Sequence, residues 1–195
     1  VNLGRKEDWK FAICSFENAP EVHIARLMEI YKEKRFFDGV NRMTEPEKEE
    51  SFKWVEEHFM FLDSETVEPS TIDSVLERAK VAVARMGIRG LVIDPYNYIE
   101  NKSGMAEHEF ISNMLTRIQA FAKAYGVHVW FVAHPSKITR SGMDLPRPDG
   151  MAISGSMAWW AKADCGLTVH RTKGTDVEIA VWKCRYRWIG TQGET

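Results

Sequence analysis

What this sequence has little of narrows it first. It holds three cysteines, Cys14, Cys165 and Cys184, an odd number, far apart and without CxxC spacing, so neither a disulfide framework nor a zinc site is expected. Each lies in or beside an apolar run, and buried free thiols are the expectation. No apolar stretch approaches the roughly 18 residues of a membrane span. The charged start VNLGRKEDWK is not a signal peptide. The chain therefore reads as residing in a reducing, intracellular compartment with no membrane partner. An excess of positive charge is missing too: 26 basic residues face 28 acidic ones, net −2, which excludes a globally basic nucleic-acid binder but not one with local basic loops. Internal repeats and low-complexity segments are absent.

What is present is an alternation of hydrophobic periods. Short continuous apolar runs switch with helical spacing along the 195 residues, the signature of strands and helices around a mostly parallel sheet in a single domain over 1–195. KFAICSFE (10–17) reads as a buried strand. PEVHIARLMEIYKEKRFF reads as a helix with proline in its first turn and Val22, Ala25, Leu27, Met28, Ile30 and Tyr31 at helical intervals. The acidic run 45–59 predicts a solvated helix, followed by the short strand FMFLD. A capped helix from Ser70 or Thr71 to Met86 stops at Gly87. IRGLVIDP is apolar enough for a strand covered on both faces. The next helix carries Phe110, Ile111, Met114, Leu115, Ile118 and Phe121 on one stripe and stops at Gly126. VHVWFVAHPSK gives another strand. Residues 136–152 predict a loop, SGSMAWWAKAD a short helix, and CGLTVHR with VEIAVWKCRYRW a strand pair joined by the turn TKGTD.

Three predicted strands end on polar residues, Glu17, Asp94 and His134, and in a parallel sheet such ends gather along one edge, where open α/β sheets bind ligands. Asp94 after LVI has the form of a Walker B acid that holds magnesium beside nucleotide phosphates; an Asp-Pro turn is the plainer reading. Glu17 suits a general base polarising water, or a first-turn acid at a helix N-terminus. His134 suits a hydrogen-bonding sensor of a phosphate, or a satisfied polar group at a strand end. KCRYR places Lys183, Arg185 and Arg187 on one strand face by period-two alternation, where an anion relieves their repulsion or the charges guard an edge. Lys137, Arg140 and Arg147 in the long loop, with Lys102 after Asp94, can contact a nucleic-acid backbone or stay solvated.

Taken together, FAICSFEN, GLVIDP, GVHVWFVAHPSK, ISGSMAWWAKAD and KCRYRWIG resemble, in order and over almost the whole chain, the RecA-type motor domain of the superfamily-four replicative helicases, the group of phage primase-helicase, Twinkle and DnaB-like proteins. The resemblance implies a P-loop NTPase-type fold, ATP or another NTP with Mg2+ as cofactors, and single-stranded DNA as partner. Identical subunits would form a ring, normally a hexamer, in a cytoplasmic or nucleoid-associated setting, bacterial or phage-encoded. It implies Glu17 as general base, Asp94 as magnesium-side acid and His134 as sensor. Lys183 and Arg185 would reach a neighbouring subunit's nucleotide, with Arg185 as finger, and the loop with Lys137, Arg140 and Arg147, together with Lys102, would lie on DNA.

One departure stands against these matches: no GxxxxGK[ST] occurs, so the phosphate-cradling loop is lacking. VNLGRKEDW resembles the tail of the helix after that loop. The expectation is a fragment without its Walker A strand, with an apolar slot beside VHVWFVAH and no hydrolysis by these residues alone. The alternatives are another RecA-like ATPase, of recombinase or plasmid-helicase type, and a non-catalytic module for assembly or DNA contact.

Overall fold

The computed structural model describes residues 1–62, 70–102, 104–136, 147–153, 156–171, 176–191 and 193–194. They form two compact units, Val1–Glu100 with Ala120–Val132, and Asn101–Gln119 with Ala133–Thr195.

The first unit is built on a four-stranded parallel sheet. Its strands are β1 (Phe11–Ser15), β2 (Phe59–Phe61), β3 (Gly90–Asp94) and β4 (His128–Phe131), in the order β2-β1-β3-β4. The two central strands are the ones with continuous apolar sequence. Ala12, Cys14, Leu91 and Ile93 are all but fully buried, as a strand covered on both faces requires. β4 stands at the sheet's outer edge, and Val129, Trp130 and Phe131 are only half-buried. The core beneath β1 is aromatic. Phe11 stacks on Phe59 with centroids 5.3 Å apart and lies 5.8 Å from Trp130.

Gly90 is required by this cluster. A Cβ there would sit 2.3 Å from Cδ1 of Phe11 and 2.9 Å from the Trp130 ring, so both rings would have to move. Gly90→Ala is expected to lose about 1–3 kcal/mol through overpacking, read as a lower urea midpoint with an unchanged slope.

Helices of this unit begin and end where their local chemistry dictates. The first, α1 (Asn2–Glu7), lays Gly4 against Trp54 and His58. α2 (Pro20–Lys32) starts on Pro20 but stops at Glu33, which takes a left-handed conformation, rather than running on to Phe37. Ala25 and Met28 are buried, while Val22 and Ile30 of the expected stripe are exposed. α3 (Glu45–His58) opens on a capping box between Thr44 and Glu47, and α4 (Ile72–Met86) on one between Thr71 and Ser74. Gly87 closes α4 in the left-handed region at φ 66°. α5 (Glu107–Tyr125) runs from the second unit into the first. Its stripe is as expected: Ile111, Met114, Leu115, Ile118 and Phe121 are buried, with Phe110 half-buried.

The second unit holds α6 (Ser156–Lys162) and a three-stranded antiparallel sheet, β5 (Cys165–Arg171), β6 (Val177–Cys184) and β7 (Gly193–Glu194), in the order β5-β6-β7. Most of the TKGTD turn lies outside the described residues. Trp182 organises the unit: it stacks on Trp160 at 5.1 Å and covers Gly150 and Gly166, where any Cβ would fall within 2.5 Å of its ring. Two expectations need correction. The thiols are not all buried: Cys14 is, but Cys165 is exposed and Cys184 only half-buried, because both sit at the open end of the β5–β6 hairpin. Nor do Lys183, Arg185 and Arg187 form one strand face: β6 ends at Cys184, and although Lys183 and Arg185 reach the same Ala161 carbonyl, Arg187 lies in a turn beyond the strand. No helix among the described residues is long and apolar enough to cross a membrane.

Candidate active site

The carboxyl edge of the parallel sheet is where the sequence's acids meet. In the β1–β3 register Ser15 lies directly opposite Asp94, and the Phe16 amide donates to the Asp94 carbonyl at 2.9 Å. Glu17 follows two residues after Ser15 in a bend. Past the end of β1 the chain thus carries an exposed carboxylate, and β3 ends on the half-buried Asp94 at the same sheet edge. The correction to the sequence reading is small: Glu17 stands just past its strand, not on it.

Two residues that the sequence reading passed over shape this bend. The Ser15 hydroxyl accepts from the Asn18 amide at 3.4 Å and is 2.8 Å from Nε2 of His23, on the first turn of α2. The Ser-x-x-Asn spacing is a readable turn signal. The His23 contact is not, because it depends on how α2 leaves the strand. Ser15 and His23 therefore act as positioning residues for the Glu17 turn.

After Asp94 the chain folds back instead of leading outward. Pro95 and Tyr96 are buried, and the Asp94–Pro95 peptide is cis. The Tyr96 amide donates to the Val132 carbonyl at 2.9 Å, and Tyr98 stacks on Phe16 at 6.1 Å. Residues 96–98 are a tight helical turn that closes one side of the Glu17 bend.

Among the described residues, no group of three or more His, Cys, Asp or Glu side chains could hold a metal ion unaided. A single half-buried carboxylate fits magnesium nevertheless. Mg2+ keeps several waters and takes one or two protein carboxylates together with substrate phosphates. Asp94 suits that shared mode and no other.

The second unit brings Lys183 and Arg185 together. Both side chains reach the C-terminal carbonyls of α6. Lys183 Nζ donates to those of Trp160 and Ala161, and Arg185 Nη2 donates to that of Ala161 at 3.1 Å while Nη1 meets Asp164 at 2.7 Å. A helix C-terminus carries partial negative charge, so it attracts both cations. Burial first, then the Arg185 charge, push Lys183 below the ordinary lysine range, with Asp164 opposing. An additional anion would relieve this crowding.

The other candidates are placed separately. His134 is exposed in the second unit, three residues beyond the last residue of β4, so it too lies past its strand. Lys102 is exposed. Arg147 is engaged, its guanidinium paired with Glu178 of β6 at 2.5 Å. Lys137 and Arg140 lie outside the described residues.

A parallel sheet flanked by helices, with a carboxylate at the end of one central strand and another just past its neighbour, is the layout of an open α/β fold that binds ligands at the carboxyl ends of its strands. Known proteins agree. Two solved structures cover 97% of this chain at a TM-score of 0.73 and 16% identity: an isolated ATPase domain, of which the chain covers 70%, and a DnaB-like replicative helicase determined for its interactions with primase, of which it covers 49%. In sequence the chain is 41% identical over 206 residues to Twinkle homolog protein, chloroplastic/mitochondrial, of Arabidopsis thaliana, with 99% of this chain aligned. It spans 29% of that relative's length. No protein-family model matches the chain. Over almost its whole length the chain is thus similar to a Twinkle homolog, and its fold is the RecA-like fold of the helicase ATPase domains.

Proposed function

We propose that this chain is the motor part of a longer replicative helicase, one that couples hydrolysis of ATP, or another NTP, to movement along single-stranded DNA within a hexameric ring of identical subunits. The observation that supports the reading is the register of Ser15 with Asp94, which ends β1 and β3 at one sheet edge, with Glu17 two residues beyond Ser15. Glu17 takes the proton of the attacking water, held in place by the turn that Ser15, Asn18 and His23 stabilise. Asp94 anchors the magnesium side of the nucleotide. When bound, that ion draws charge from the phosphoryl oxygens. His134 hydrogen-bonds the terminal phosphate and relays its presence to the loop 136–152. Lys183 and Arg185 leave the α6 carbonyls for the nucleotide of a neighbouring subunit.

The test is ATP turnover by the full-length protein with and without single-stranded DNA. Turnover that DNA stimulates is the expected result; a folded protein that binds DNA without hydrolysing ATP would instead make this a module for assembly or DNA contact.

On the same reading Lys102, Lys137, Arg140 and Arg147 contact the DNA backbone, Arg147 after exchanging its partner Glu178. Changing Lys102 and Lys137 to Ala is expected to flatten the salt dependence of binding by about 0.7 in log–log slope per lost phosphate contact. An unchanged slope removes these lysines from the interface.

A further inference from the structure

The open end of the β5–β6 hairpin carries a feature that the motor reading does not use. Cys165, the first residue of β5, is paired in register with Cys184, the last residue of β6. Beyond them the Arg185 amide donates to the Asp164 carbonyl at 2.9 Å, which makes 164/185 a hydrogen-bonded pair of the antiparallel ladder. Pairs alternate along such a ladder, so 165/184 is a non-hydrogen-bonded pair. At these positions Cα atoms approach to about 4.5 Å and side chains stand closest, inside the span of about 4.4–6.8 Å that a disulfide bridges. Both thiols are free, and Cys165 is open to solvent.

We propose that Cys165 and Cys184 form a reversible dithiol/disulfide site, oxidised by small-molecule disulfides, that holds Lys183 and Arg185 in their parked position on α6. The thiolate of Cys165 attacks one sulfur of the oxidant, whose S–S bond breaks and releases one thiol. The Cys184 sulfur, losing its proton, then attacks the Cys165 sulfur and releases the second. Two protein thiols become one disulfide, two electrons pass to the oxidant, and its two thiols carry off the two protons. A dithiol reductant reverses the exchange.

The consequence follows from chain connectivity. Cys184 lies between Lys183 and Arg185, and Cys165 directly follows Asp164, the partner of Arg185. A covalent tie between the two cysteines keeps Arg185 beside Asp164 and both cations over the Trp160 and Ala161 carbonyls. Oxidation also removes the thiol proton that Cys184 donates to the Tyr186 carbonyl at 3.4 Å. Partial burial, and after it the adjoining Cys184, push the Cys165 thiol up. Its thiolate therefore forms late, and the rate of oxidation rises with pH through the alkaline range.

The experiment treats the full-length protein with oxidised glutathione, blocks the remaining thiols with iodoacetamide and maps the peptides by mass spectrometry. The expected product is a Cys165–Cys184 linked pair, formed faster at higher pH and undone by dithiothreitol. Glutathione adducts or alkylated thiols at both positions, with no linked pair, overturn the site. Its effect on activity rests on the proposed role of Arg185: oxidation is expected to lower DNA-stimulated turnover severalfold, and Cys165→Ser to make turnover insensitive to the oxidant. If the pair links and turnover stays unchanged in a protein that Arg185→Ala inactivates, the regulation is overturned. If Arg185→Ala is itself fully active, the reading of Arg185 fails while the thiol map stands.

Discussion

Glu17→Gln in the full-length protein lowers ATP turnover by about 10²- to 10⁴-fold, the range for loss of a positioned general base, and leaves nucleotide affinity nearly unchanged. The asymmetry follows from geometry. Glu17 is exposed in a bend past β1 whose backbone is held by the Ser15 contacts to Asn18 and His23. Replacing one oxygen by an amide nitrogen keeps the size of the side chain and removes its capacity to take a proton. Single-turnover hydrolysis measured beside equilibrium binding of the same nucleotide separates the two effects. Near-normal turnover would place the base elsewhere at the sheet edge. A parallel loss of binding would mean that Glu17 positions the nucleotide instead. His23→Ala provides the contrast: a positioning residue acting through Ser15 is expected to lower turnover less than Glu17→Gln.

The sheet edge was legible in the sequence because continuous apolar runs are a strong local signal. FAICS and GLVID became the buried central strands, and the polar residue at or after each run marked the edge to within two positions. The helix limits at Thr44, Thr71, Gly87 and Gly126 were legible for the same local reason. A hydroxyl that caps an amide, or a glycine that accepts a positive φ, acts within a single turn of chain. What escaped depended on partners distant in sequence. Period-two alternation put Lys183, Arg185 and Arg187 on one face; Lys183 and Arg185 do meet at the Ala161 carbonyl, but β6 stops before Arg187, which lies in a turn. The exposure of Cys165 and Cys184 was equally hidden, because it comes from where the hairpin opens, which only the strand register fixes.

Arg185→Ala is expected to lower turnover by about 10³- to 10⁵-fold if the arginine acts as a finger on a neighbour's nucleotide. Taken alone, that loss is ambiguous. Arg185 also donates to the Ala161 carbonyl and pairs with Asp164, so its removal loosens the end of α6 within its own subunit. Mixed rings resolve the ambiguity. If Glu17 serves the nucleotide of its own subunit and Arg185 that of the next, neither Glu17→Gln nor Arg185→Ala rings contain a complete site. When the two proteins are combined, some interfaces place an intact Glu17 from one subunit against an intact Arg185 from its neighbour. In an equimolar random ring joined head to tail, about a quarter of the interfaces are of this kind. Turnover should therefore reappear in the mixture, at a level neither variant reaches alone, and should rise and fall with mixing ratio around equal proportions. A purely local role for Arg185 gives the opposite result, because a subunit damaged at α6 is not repaired by its neighbour, and the mixture then stays as inactive as its parts. The same measurement with Lys183→Ala in place of Arg185→Ala separates the two cations. Lys183, crowded by burial and by the Arg185 charge, gains most from an incoming anion, so its loss should weaken nucleotide binding at the shared interface as well as turnover.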